Sequence, residues 1–308
     1  MPVIVRAGQW SRLIPILLIL LTCSSFPALA MEPWTISAEV VLPGGEPGNA
    51  DIHELLRRLE SVEGEGTPVS AEEFGAYCDR TDPRVDIEAL MKYAAPGSIR
   101  NQNMDHSRYR RSLMQKNRVE AGTRFLHEHK DLLREAENRY GVAQQDIVSI
   151  LMWESGLGKI TGDTPVFNVL LAQLLFLEDA RRRHSEPGPE DRKRFEKLRG
   201  RAVANLSALL RLSKSLEQDP TIQRGSWAGA IGYPQFMPAS LKYAADGDGD
   251  GLIDLHHWPD VIFSVAKYLH EHGYDTSYRG RKRGIHRYNP LDSYVNGVIA
   301  YADAIMSR

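Results

Sequence analysis

The carboxyl of Glu154 has the strongest chemical potential in the chain. It lies in the run Ile-Val-Ser-Ile-Leu-Met-Trp-Glu-Ser-Gly-Leu-Gly over residues 147–158. Ile147, Ile150, Leu151 and Glu154 fall at i, i+3, i+4 and i+7, so a helix places the acid on one face with three apolar side chains. Gly156 and Gly158 follow at once, which puts Glu154 in the last turn. There the negative end of the helix dipole opposes a further negative charge. Burial and dipole push in one direction, toward a raised pKa and a retained proton. A group of that kind donates protons near neutral pH. The same residues also allow a glutamate that curls into solvent at a frayed helix end, as most helical glutamates do.

Two further stretches carry candidate chemistry. Residues 225–238, Gly-Ser-Trp-Ala-Gly-Ala-Ile-Gly-Tyr-Pro-Gln-Phe-Met-Pro, are broken too often by glycine and proline for a long helix and are too apolar for a solvated loop. Aromatic faces beside Ser and Gln side chains suit a sugar, whose CH-rich faces pack on rings while its polar groups find hydrogen-bond partners. A tight helix crossing that needs glycines is the competing reading. The run from Asp246, Asp-Gly-Asp-Gly-Asp-Gly-Leu-Ile-Asp, places acids at positions 1, 3, 5 and 9 and Gly at 6 of an EF-hand-like calcium loop. Its ligands would be Asp246, Asp248, Asp250 and the Leu252 carbonyl. Position 12 is His257 instead of glutamate, and Asp260 is the nearest carboxylate able to substitute. An acidic, glycine-rich turn is the alternative. Residues 279–283 read as a basic loop, either solvated or facing an anionic substrate, and Asn289 either caps the last helix or faces a ligand.

The elements that must hold these groups are helical throughout, because no stretch alternates apolar and polar residues for long. Ile52, Leu55, Leu56 and Leu59 mark a helix over 51–63, and Ser-Ala-Glu-Glu from Ser70 begins another with a capping pattern. A helix is plausible over 87–93. From about 115 the pattern strengthens: an amphipathic helix over 119–139 stopped by Gly141, then the Glu154 helix, then a nearly all-apolar helix over 166–177 started by Thr164-Pro165. A charged run over 181–201, broken by Pro187-Gly188-Pro189, precedes an amphipathic stretch over 202–216. Further helices follow over 259–271, closed by Gly273, and after Tyr288-Asn289-Pro290 with Tyr294, Val298 and Tyr301. The fold class is all-α, with a helical accessory region over 31–114 and a larger domain over 115–308.

The first 30 of the 308 residues read as an export signal: Arg6 and Arg12, the apolar run over 13–21, and a small-residue cleavage pattern at Ala28-Leu29-Ala30. Cys23 offers a second possibility, a lipid anchor of the bacterial lipoprotein kind, with Thr22 a poor match to that pattern. Cleavage removes two arginines and no acid and takes the formal charge from −2 to −4. A slightly acidic chain gives no electrostatic case for nucleic acid. Only Cys78 survives cleavage after Ala30, so that product has no internal disulfide.

Three segments together resemble the membrane-bound lytic murein transglycosylase B family: Tyr140-Gly-Val with 147–162, residues 225–238 running on into the acidic loop, and 288–298. The resemblance covers about 115–308 and implies a goose-type-lysozyme-like helical domain. It also implies an enzyme that cleaves the MurNAc-β-1,4-GlcNAc bond of peptidoglycan and leaves a 1,6-anhydro-MurNAc end. Carried across, Glu154 matches the single catalytic acid/base. Ser226, Tyr233, Gln235, Tyr288, Asn289 and Tyr294 match cleft positions. Asp246, Asp248, Asp250, Leu252 and Asp260 match a structural calcium loop over 246–260. Leu157 departs from the family, where an aromatic residue is common, and 31–110 shows no match. The expected setting is periplasmic, with glycan strands as partner and the chain acting as a monomer. A hydrolytic muramidase and a non-catalytic, calcium-stabilised wall-binding protein are the competing functions.

Overall fold

The computed structural model describes residues 50–81, 90, 98–182 and 189–307. The export signal, Cys23 and the helix expected over 87–93, apart from Leu90, lie outside them. The described helices are α1 (Ala50–Glu60), α2 (Ala71–Asp79), α3 (Ser98–Leu113), α4 (Lys116–Glu128), α5 (Lys130–Tyr140), α6 (Gln144–Ser155), α7 (Val166–Arg182), α8 (Pro189–Ser215), α9 (Trp258–Glu271), α10 (Tyr278–Tyr288) and α11 (Asp292–Met306). Two 3-10 turns, Pro220–Ile222 and Pro238–Tyr243, join them. The strands are two residues each: β1 (Thr164–Pro165) runs antiparallel to β2 (Arg224–Gly225), with Thr164 opposite Gly225. The architecture is therefore helical, as expected. No described helix is long and apolar enough to cross a membrane.

Helix α6 forms the centre of one core. From Asp146 to Gly156 every residue is buried except Glu154. Helices α4, α5, α9 and α11 surround it and contribute Phe125, Leu133, Val265 and Val298 among others. Gly297 lets α11 cross closely, since a Cβ there would run into the Trp153 ring. At this crossing the Ser149 hydroxyl donates to the Val298 carbonyl at 2.6 Å. The one acid in the first turn, Asp146, is wholly buried and fully partnered. Arg281 of α10 approaches both its oxygens at 2.8 Å, and the Tyr274 hydroxyl donates to it at 2.5 Å. A buried charge is tolerated only with such partners. At the other end Gly156 adopts a left-handed conformation (φ 60). The Gly156 and Leu157 N–H groups bond the carbonyls of Met152 and Leu151, which closes the helix.

A second core lies among α1, α2, α7, α8 and residues 231–255. Ser70 caps α2 in a reciprocal capping box with Glu73, as its sequence pattern predicts. The buried guanidinium of Arg211 in α8 clamps the turn after α1, donating to the carbonyls of Arg58 (2.9 Å), Ser61 (2.6 Å), Glu65 (2.8 Å) and Gly66 (3.1 Å). Helix α3 does not join this half. Its Leu113 sits in the core of α6 and its contacts run to α11 and α4.

Several elements differ from expectation. The helix expected over 119–139 is two helices broken at His129, whose ring packs 4.3 Å from Phe125 and 5.6 Å from Trp258. The charged run and the amphipathic stretch after Pro187 form one helix, α8, with Pro189 as its first residue, where a missing N–H costs nothing. Thr164-Pro165 forms a strand instead of a helix start, and α7 begins immediately after it. Residues 279–283, read as a basic loop, lie inside α10, which starts at an N-cap where the Ser277 side chain accepts from the Gly280 N–H.

Candidate active site

Glu154 occupies the last turn of α6, half-buried, while Ile147, Ile150 and Leu151 beneath it are fully buried. Its Oε1 accepts a hydrogen bond of 2.5 Å from the Tyr294 hydroxyl of α11. Burial raises the Glu154 pKa to about 7, and the Tyr294 donation opposes that rise in part. The carboxyl is thus poised to hold a proton at neutral pH and to lose it with little cost. The fluctuating, solvated glutamate that the sequence also allowed is not what the fold presents.

The phenols around it stay protonated. Burial, then the charge of Glu154, pushes Tyr288 and Tyr294 well above the usual tyrosine range. Tyr294 is fixed by the Trp153 ring at 5.3 Å, and Tyr288 donates to the Pro234 carbonyl at 2.5 Å. That bond ties the end of α10 to the irregular segment over 225–237. Asn289 ends α10 and is not the cap of α11, whose N-cap residue is Leu291. The Asn289 N–H donates to Ile285, whereas its half-buried side chain takes no partner among the described residues.

The irregular segment is held by its own polar groups. Ser226 Oγ accepts from the Ala228 N–H (3.3 Å) and the Ala230 N–H (3.0 Å), which leaves its proton as the remaining capacity to donate. Gln235, in a left-handed conformation (φ 52), donates from Nε2 to the carbonyls of Gly232 (2.8 Å) and Thr161 (3.3 Å). Its amide nitrogen is therefore spent on stapling this segment to the chain that leaves α6. Tyr233 lies tilted against Trp258 (4.6 Å) and edge-on to His256 (5.2 Å), and a Cβ at Gly158 would come within 3.1 Å of both Tyr233 and Trp258. Leu157, where an aromatic residue was expected, also adopts a positive φ (58) and packs against the α6 core.

The α3 helix supplies residues that the sequence reading did not single out. Tyr109 donates to the Met152 carbonyl at 3.4 Å, lies 5.4 Å from Trp153 and is raised by burial and by the Glu154 charge. His106 sits against Trp153 and Tyr294 and shares a hydrogen bond with Ser293 (3.2 Å). No periodicity in this charge-rich stretch marks either residue, because both act through one tertiary contact.

The acidic loop abuts the irregular segment, since the Leu255 carbonyl accepts from the Tyr233 N–H at 2.9 Å. Carboxylate oxygens of Asp246, Asp248 and Asp250 lie within 4.8 Å of one another, and Asp248 and Asp260 form a second such group with His257. Asp260 is buried, and its oxygens accept from Gly247 (2.8 Å) and Asp254 (2.7 Å). Asp246 accepts from Gly249 (2.7 Å) and Gly251 (2.8 Å), folding the loop around its first acid. The three clustered carboxylates of Asp246, Asp248 and Asp250 on a sharp glycine turn fit a hard cation with oxygen ligands, and Asp260 joins only Asp248 and His257.

Residues 68–283 match the transglycosylase SLT domain family, more than half of the chain. The chain is 36% identical over 168 residues to the membrane-bound lytic murein transglycosylase B of Escherichia coli (strain K12). That alignment takes in 54% of this chain and 42% of the relative, so the match spans less than half the relative's length. Among solved structures, the soluble lytic transglycosylase SltB1 of Pseudomonas aeruginosa is similar, with a TM-score of 0.53, 26% identity and coverage of 65% of this chain and 82% of that one. The Escherichia coli lytic transglycosylase Slt35, solved in complex with calcium, shares the fold, with a TM-score of 0.58, 22% identity and coverage of 89% and 99%.

Proposed function

The chain belongs to the transglycosylase SLT domain family, and on that premise we propose that it is a lytic murein transglycosylase in which Glu154 is the sole acid/base. The observation that carries the reading is the carboxyl of Glu154, half-buried over an apolar helix, bonded to Tyr294 and raised to about 7. Most glycosidases need two carboxylates. Among the other acids of the described residues, wholly buried Asp146 is paired with Arg281, buried Asp260 accepts from two backbone N–H groups, and the clustered ones belong to the 246–260 loop. A substrate that brings its own nucleophile removes the need for the second.

In the first step, protonated Glu154 gives its proton to the glycosidic oxygen as the C1–O bond of MurNAc breaks, and the MurNAc acetamide oxygen stabilises the cation developing at C1. In the second step, ionised Glu154 takes the proton of the C6 hydroxyl as O6 bonds to C1. The 1,6-anhydro ring closes, and Glu154 regains its proton. Ser226 and Asn289 orient the acetamide; Tyr233, Gln235 and Tyr288 hold the glycan, whereas Tyr294, read from the sequence as a cleft residue, is wholly buried and acts only through Glu154. Tyr294 keeps the carboxyl in one rotamer through both proton transfers.

Asp246, Asp248, Asp250, the Leu252 carbonyl and Asp260 would hold calcium, which when bound supplies the positive charge that offsets the clustered acids. The loop would then act as a brace behind Tyr233. The calcium complex of a protein with a similar fold supports this reading. The leader-like first 30 residues support export to the periplasm, with cleavage after Ala30 or lipid attachment at Cys23.

Glu154→Gln removes the titratable proton while keeping shape, and it should abolish clearing of a peptidoglycan suspension with the fold intact. Retained lysis would refute the assignment. Product mass separates this reaction from hydrolysis, because a reducing MurNAc end is heavier than the anhydro end by one water.

A further inference from the structure

Helix α10 has two unlike faces. Arg281, Gly284, Ile285 and Tyr288 turn inward, Arg281 to the buried Asp146 and Tyr288 to Pro234 and the neighbourhood of Glu154. Arg279, Lys282, Arg283, His286 and Arg287 fall at i, i+3, i+4, i+7 and i+8 and share the opposite face. With Asp292 and Val295 of α11 they line an open concavity of about 510 Å³. Arg283 is spent on Asp275 (3.0 Å) and the Gly273 carbonyl (2.7 Å). Among the described residues no carboxylate pairs with Arg279, Lys282 or Arg287. In a chain of net charge −2, three cations without a carboxylate partner around one hollow, against the single acid Asp292 in its lining, are a local feature and not a reflection of overall composition.

We infer that this hollow is an anion-binding subsite for the carboxylates of the peptide stem borne by the glycan strand. The inference rests on the substrate class proposed above and adds a second point of contact to it. Length, position and chemistry agree. From Arg279 to Arg287 the helix rises roughly 12 Å, and an extended peptide advances about 3.3 Å per residue, so some four stem residues span the stripe. The stripe ends at Arg287, one residue before Tyr288 at the cleft. A stem leaving the MurNAc lactyl group in the cleft meets the basic face by passing over the end of α10. Guanidinium groups suit carboxylates because they bind them with two parallel hydrogen bonds. An anionic bilayer is a weaker match: these cations line a hollow between two helices, and the exposed Tyr278 beside them already carries the Lys282 ammonium 5.2 Å from its ring centre.

The test is calorimetric titration of the free stem peptide L-Ala-γ-D-Glu-meso-diaminopimelate into the full chain carrying Glu154→Gln, with and without Arg279→Ser, Lys282→Ser and Arg287→Ser together. The triple substitution should weaken binding at least tenfold, and raising salt from 50 to 300 mM should weaken the parent alone. Arg279→Lys with Arg287→Lys keeps the charge but loses the paired hydrogen bonds, and should weaken binding by less than the triple substitution. If the triple variant misfolds by circular dichroism, Lys282→Glu is measured in its place and should weaken binding severalfold. Equal affinity with and without the substitutions would overturn the inference. So would loss of binding to phosphatidylglycerol vesicles with peptide affinity unchanged, which would assign the face to a bilayer. Peptide binding does not depend on bond cleavage, so the Glu154 mechanism can fail without affecting this result.

Discussion

Glu154 and Asp246, the first acid of the 246–260 loop, are chemically similar groups treated in opposite ways. Glu154 sits over apolar residues with a single phenol donor, and burial lifts its pKa to about 7. For Asp246 burial also pushes upward, yet the backbone N–H groups of Gly251 and Gly249 outweigh it and hold the carboxyl below the usual range. The difference lies in how many dipoles point at the charge: one phenol cannot replace the lost water around Glu154, whereas a turn of glycine amides can around Asp246. The first environment makes a proton carrier and the second a permanent anion. Asp260, buried in the same loop, follows Glu154: burial raises it against the donation of the Asp254 and Gly247 N–H groups.

Removing the proton carrier should have the largest effect. Glu154→Gln should lower the release of soluble anhydro-muropeptides by at least about 10³-fold, since one group serves both proton transfers. The same substitution tests the environment through stability. The folded carboxyl titrates near 7 against 4.5 when unperturbed. Its protonated form is favoured by folding, so stability is lost as pH rises from 4.5 through 7 and is level above that. At pH 8 the loss is at most on the order of 3 kcal/mol. Glu154→Gln should therefore unfold at a higher temperature than the parent at pH 8 and not at pH 4, as thermal melts would report.

On the other side of the comparison, Asp260→Asn exchanges an acceptor for a donor facing the Gly247 or Asp254 N–H, and urea unfolding should report a loss of about 1–3 kcal/mol. Asp250→Asn, at an exposed position with one such bond, should cost less without metal. If the loop holds calcium, a chelator should lower the melting temperature of the parent and leave Asp260→Asn nearly unmoved. The smallest effect is expected of Tyr294→Phe: about a tenfold fall in rate, with the Glu154 titration moving further upward because the Tyr294 donation lowers it. A downward movement would mean that the phenol does not act on the ionised form.

Local patterns were readable where local forces decide. The apolar spacing of α6, the stop at Gly156 and the capping box at Ser70 all follow from neighbours a few residues apart. What the spacing did not convey is that α6 is buried on every side from Asp146 on, with Glu154 alone at the opening of that stretch. Failures came where distant contacts decide. The break at His129 depends on Phe125 and Trp258, and the strand at Thr164 exists only because Arg224 and Gly225 lie alongside. The basic run over 279–283 is helical because Arg281 has Asp146 to bind, a partner 135 residues away. Tyr109 and His106 stayed invisible for the same reason: nothing near them in sequence announces Trp153 or Glu154.

The account stands on the protonation of one side chain, and that can be observed without substrate. Carbon-13 labelling of the glutamate side-chain carboxyls, with the Glu154→Gln spectrum subtracted, isolates the Glu154 signal for titration between pH 3 and 10. A midpoint near 7 is the predicted result. A midpoint near 4.5 would mean an ordinary solvated carboxylate, and a single acid/base at this position would then be contradicted.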